Sequence, residues 1–148
     1  MKIAMKYGLL ITLVVILWVL VTHFLFPLAP ESKANALAPF LFNLAAIVAI
    51  HLGIKTKKDE RAGELSFREG LVTGMSISLV YAIFACLFFL LMLLVVGPKL
   101  MSNEPMVRTY PMWQLAIVAF AGMFLGALIL GLVYSTIISF LLVRRTKV

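Results

Sequence analysis

Polar and apolar positions in this chain segregate on the scale of whole helices. Four apolar runs, about 7–26, 37–54, 71–96 and 113–143, are separated by short polar or proline-marked stretches. Each has about the length that crosses a hydrocarbon layer, which takes ~20 mostly apolar residues. The first run stops at Pro27 and Pro30, the third ends at Gly97-Pro98, and the fourth follows Pro111. Proline lacks the N–H that a helix interior needs, so these positions punctuate helices. The pattern predicts an all-α fold: an integral membrane bundle of four transmembrane helices, one domain over 1–148, with a charged loop at 55–70.

The first run has some features of a signal peptide. Lys2 and Lys6 precede it, and Ala34-Asn35-Ala36 resembles a cleavage site. Its apolar core is longer than the roughly 7–15 residues of a signal h-region, so it reads as a span.

Composition agrees with a lipid environment. Apolar residues make up 64% of the chain and the mean hydropathy is +1.12, whereas a soluble globule holds roughly 45–50% apolar residues. The net charge of +7 does not point to nucleic acid, because the basic residues sit at the ends of the apolar runs and form no continuous face. Lys2, Lys6, Lys55, Lys57, Lys58, Arg61, Arg68, Arg144, Arg145 and Lys147 fall on one side of the four spans. Only Lys33, Lys99 and Arg108 fall on the other. The excess predicts that both termini are cytoplasmic. Tyr110 and Trp113 flank the outer end of the fourth span, where aromatic rings favour the headgroup region. The lone cysteine, Cys86, excludes an intrachain disulfide.

Helices in lipid associate where small residues let backbones approach. Helix three carries such a row at Gly70, Gly74, Ser78, Ala82 and Cys86. Helix two carries Ala45, Ala49 and Gly53; helix four carries Gly122-x-x-x-Gly126, then Gly131, Ser135 and Ser139. Helix one is mostly large and β-branched from Leu9 to Leu20. These rows predict that helices two, three and four form the packed unit, with helix one lying toward lipid.

No Asp, Glu, Lys or Arg occupies the central part of a span, which argues against a proton- or ion-coupled carrier. His23 and His51 lie near opposite ends of their spans, roughly 15 Å or more apart in depth. A shared metal ion would need both within ~2 Å of it. No catalytic grouping, cofactor site or metal site is expected. Asn43, Tyr81, Gln114 and Tyr134 are the polar residues placed to line an internal cavity, with Asn43 and Gln114 able to bond each other.

The loop KTKKDERAGELSFREG holds five basic and four acidic residues. Lys55 and Asp59, spaced i, i+4, support an extension of helix two past the membrane. Gly63 suits the position just beyond a helix end, where φ is positive. Ser66 and Glu69 match a capping box at the start of helix three. The same stretch carries a resemblance. Lys6–Leu9 (KYGL), four spans, and a Gly-x-x-Ser-Phe-x-x-Gly…Gly element (Gly63, Ser66, Phe67, Gly70, Gly74) resemble a bacterial family catalogued as a domain of unknown function, DUF4199. The resemblance implies a small multi-pass protein of the bacterial inner membrane. It carries no reaction, cofactor or catalytic residue.

Short loops, small-residue rows and the missing catalytic grouping predict a non-enzymatic protein that acts by association, as a small subunit or accessory factor of a membrane assembly. The alternative is a binding or permeation protein for a lipid or small apolar molecule. Expected partners are membrane lipids and either another protein or a second copy of the chain.

Overall fold

The computed structural model describes residues 2–25, 33–97 and 111–144. The described residues form four helices: α1 (Lys2–Leu20), continued by a π-helical turn at Val21–Leu25, α2 (Lys33–Glu60), α3 (Phe67–Val96) and α4 (Met112–Arg144). All four are long and apolar enough to cross a membrane. Their outward faces are apolar as well; Leu94 is 85% exposed and Phe40 69%. In water such surfaces would aggregate, so the surrounding solvent is lipid. Pro27, Pro30, Lys99, Arg108, Tyr110, Arg145 and Lys147 lie outside the described residues.

The connection between α2 and α3 is built by local chemistry. α2 runs beyond its apolar stretch to Glu60, with Lys57 and Glu60 paired at 3.5 Å; the ion pair there is this one and not Lys55–Asp59. Past the helix end, the Gly63 N–H donates to the Lys58 carbonyl (3.0 Å) and the Ala62 N–H to the Asp59 carbonyl (3.2 Å). These two bonds form a Schellman stop. The stop demands positive φ at Ala62 (53°), and Gly63 beyond it is also at positive φ (90°). The expected glycine is present, but the left-handed position that closes the motif is Ala62. An L-residue there costs about 1–2 kcal/mol, so Ala62→Gly should raise stability by about 1 kcal/mol in a denaturant titration in detergent.

Ser66 then caps α3. Its Oγ accepts from the Glu69 N–H (3.2 Å), while the Ser66 N–H donates to Glu69 Oε2 (3.1 Å). Arg61 reaches across the turn to Glu69 at 3.0 Å. The start of α1 and the last turn of α4 lie at this same end of the bundle. Lys2 shares a notch with Lys57, Glu60 and Thr73, and Lys58 Nζ donates to the Leu142 carbonyl at 2.9 Å. That last bond places a cation in the last turn of α4, where the helix dipole favours it.

α1 is an integral part of the packed unit, contrary to the expectation that it lies toward lipid. A third of its membrane stretch is buried, against 6% for α4. Ala4, Tyr7, Gly8, Ile11, Thr12 and Val15 form the buried stripe, recurring at helical spacing. A methyl group on Gly8 would sit 2.7 Å from Val80 Cβ and 3.0 Å from the Ile77 carbonyl, so only glycine admits this approach to α3. Toward α2, Tyr7 packs beside Gly53 and bonds Thr56 Oγ1 at 2.9 Å. Thr56 spends its own proton on the Leu52 carbonyl, so Tyr7 is the donor.

The α3–α4 seam is a ladder of small residues. Gly70 faces Ser139, Gly74 faces Ser135, and Ser78 faces Gly131. Each step of four along α3 is matched by four in the opposite direction along α4, as antiparallel helices require. Ser135 and Ser139 are fully buried, and their hydroxyl oxygens have no hydrogen-bond partner among the described residues. A methyl carbon on Gly70 would lie 2.6 Å from Ser139 Oγ, so a glycine Cα hydrogen points at that oxygen. Such C–H···O contacts contribute about 0.5–1 kcal/mol each. Ala82 and Cys86 continue the buried row on α3, where Cys86 Sγ approaches the Phe120 carbonyl at 3.9 Å.

Gly122 and Gly126 take no part in this seam. No atom of another described helix lies within 4 Å of a methyl group at either position, so the GxxxG of α4 is not a helix-packing motif here. The reason is shape. The core cluster of Ala4, Tyr7, Ile11, Ala49, Ile50, Ile54, Leu65, Ile77, Ile138 and Leu142 occupies the end where α1 begins and α4 finishes. Farther along, α2 has no buried residue from Leu37 to Val48. The bundle is closed at one end and splayed at the other, and Gly122 and Gly126 face the gap.

Candidate functional site

The gap is a cavity of about 370 Å³, within the roughly 300–1,000 Å³ typical of ligand pockets. All four helices wall it. Ile11 and Val15 come from α1; Pro39, Phe42, Asn43, Ala46 and Ile50 from α2; Ser78, Tyr81 and Ala85 from α3. The remaining wall is α4, from Gly122 to Tyr134. Two glycines without neighbours and a helix bearing a proline account for the space. Pro39 lies inside α2 and has no N–H to donate to the carbonyl one turn earlier, which weakens the helix there.

The polar groups of the cavity are few and mostly committed. Asn43 Nδ2 donates to the Pro39 carbonyl at 2.7 Å. Because that carbonyl can only accept, the orientation of the amide is settled, and Oδ1 is free to accept the Tyr134 hydroxyl, also at 2.7 Å. This Tyr134–Asn43 bond ties α4 to α2 across the cavity. Ser78 gives its proton to the Gly74 carbonyl at 3.1 Å. The Tyr81 hydroxyl makes no hydrogen bond among the described residues.

Three of the four residues expected to line a cavity therefore do so: Asn43, Tyr81 and Tyr134. Gln114 does not. It lies in the first turn of α4, away from the lining, and Asn43 bonds Tyr134 in its place. The apolar walls, Pro39, Phe42, Gly122 and Gly126, are not predictable from residue type. A proline in the middle of an apolar run is the one sequence signal that marks this region of α2. His51 is exposed on α2, and the described residues hold no group of three His, Cys, Asp or Glu side chains able to bind a metal ion.

Residues 6–104, about two-thirds of the chain, match the family described as "Protein of unknown function (DUF4199)". The chain belongs to DUF4199. No curated protein and no solved structure matches it. The DUF4199 segment covers α1 to α3 and ends before α4, so the family match embraces three walls of the cavity and not the fourth. The elements that carried the resemblance are packing devices. Tyr7 and Gly8 dock α1, Gly63 and Ser66 turn and cap the connection, and Gly70 and Gly74 receive the serines of α4. All belong to the closed end of this DUF4199 bundle and none to the cavity.

Proposed function

We propose that this DUF4199 protein is a non-enzymatic multi-pass membrane protein that holds a lipid chain or another small apolar molecule in the cavity at its splayed end. The observation that carries the reading is the cavity itself: about 370 Å³, walled by apolar side chains and by two glycines where larger residues would fill it. Its polar groups are hydroxyls and one amide. No acid or base stands beside them among the described residues, which favours binding over chemistry.

Association as a small subunit of a membrane assembly has less support. The rows that favour it on sequence are spent inside the chain: Gly70, Gly74 and Ser78 against α4, and Gly122 and Gly126 on the cavity. We place the protein in the bacterial inner membrane with both termini on the cytoplasmic side, from the excess of Lys and Arg that the sequence puts on that side of the spans. Reporter fusions at both termini should report the cytoplasm; a signal from the opposite side would reverse the orientation.

Native mass spectrometry of protein released from membranes in mild detergent tests the binding reading. A bound apolar molecule retained by the folded protein is expected. A population that is wholly empty, and that takes up none of the apolar probes described below, would end it.

A further inference from the structure

We infer that the ligand is an uncharged apolar molecule bearing a hydrogen-bond acceptor, a ketone, ester or ether oxygen on a hydrocarbon frame, and that Tyr81 donates to that oxygen. This rests on the cavity being a binding site and assigns its chemistry.

Charge is the first constraint. No Asp, Glu, Lys, Arg or His is among the lining residues. An ionised carboxylate or phosphate placed there would lose its hydration with no counter-charge to offset the loss. Fatty-acid anions and phospholipid headgroups are therefore poor occupants.

Hydrogen-bond accounting supplies the second constraint. Tyr134 gives its proton to Asn43 Oδ1, and Ser78 gives its proton to the Gly74 carbonyl. Asn43 spends one amide hydrogen on Pro39. What remains uncommitted is the Tyr81 O–H and the second amide hydrogen of Asn43. Both are donors. An unpaired donor in an apolar site is costly, whereas a second lone pair on an oxygen goes unfilled at less cost. The cavity therefore asks its occupant for an acceptor. Tyr81 stands on α3 among the buried residues Ile77, Ser78, Ala82 and Ala85, whereas Asn43 lies in the stretch of α2 without a buried residue, so Tyr81 is the better supported of the two donors.

The experiment uses the full chain in detergent and three probes of equal carbon number: dodecane, methyl undecanoate and dodecanoate. Displacement of a fluorescent apolar probe gives their relative affinities. The ester should bind about tenfold more tightly than the hydrocarbon, the value of one net hydrogen bond, and dodecanoate should bind most weakly. In Tyr81→Phe the ester should fall to the level of dodecane, while dodecane binding is retained; that retention also reports an intact fold. Equal binding of ester and hydrocarbon by the wild-type chain would overturn the inference without any variant. So would tightest binding by dodecanoate, or an ester preference that survives Tyr81→Phe. If none of the three binds, the cavity reading itself fails.

Discussion

Gly74→Ala should lower the stability of the bundle by about 1–3 kcal/mol, the usual cost of adding volume to a close-packed seam. The added methyl would overlap the Ser135 side chain, whose Cβ would be 2.6 Å away, and press on Ile50 Cγ2 at 3.2 Å. Neither neighbour has room to retreat, since Ser135 is fully buried and Ile50 is 1% exposed. Gly74→Leu should go further and prevent α3 and α4 from meeting. Thermal or denaturant unfolding in detergent measures both. The decisive arm is the double variant Gly74→Ala with Ser135→Gly, which removes the atoms in collision and should recover most of the loss. Two losses that simply add would mean that these residues do not face each other, and the antiparallel register described above would be wrong.

Gly126→Leu should have the opposite profile, with folding retained and ligand lost. A Cβ at this position meets no atom of the described residues within 4 Å, and leucine gains about 0.5–1 kcal/mol of helix propensity over glycine. The new side chain would occupy part of the cavity of about 370 Å³. Bound apolar molecule should fall by about tenfold or more, equivalent to at least ~1.4 kcal/mol, with no drop in unfolding temperature. Gly122→Leu should behave alike. A loss of stability in Gly126→Leu comparable to that of Gly74→Leu would restore the GxxxG to a packing role and remove the cavity. Unchanged ligand occupancy in a stable variant would show that the molecule is bound elsewhere.

Local features of this fold are legible one segment at a time. Four spans follow from run length against bilayer thickness. Ser66 and Glu69 announce the start of α3 because a capping box needs only residues three apart. Gly63 announces the turn, though the Schellman stop also forces Ala62 to positive φ. The row Gly70, Gly74, Ser78 is visible as a row. Ala4, Gly8 and Thr12 form a similar small-residue row on α1, and attention to the bulky stretch from Leu9 onward hides it. Asn43 and Tyr134 stand out as polar groups in apolar runs, yet their bond to each other joins residues 91 apart, and nothing local distinguishes it from a pairing of Asn43 with Gln114.

The chain by itself determined that it is a membrane protein of four spans, where its helices begin and turn, and which residues are small enough for backbones to meet. The tertiary structure decided which of those small residues meet anything. Gly70 and Gly74 receive serines, while Gly122 and Gly126, with the same spacing, border a cavity. In water a buried face is marked by its hydrophobicity. In lipid both faces of a helix are apolar, so that mark is lost and helix contacts are selected by the fit of one surface to another. Fit is a property of two helices together, and it emerges only once Pro39, Tyr134 and the seam of α3 and α4 are set in one arrangement.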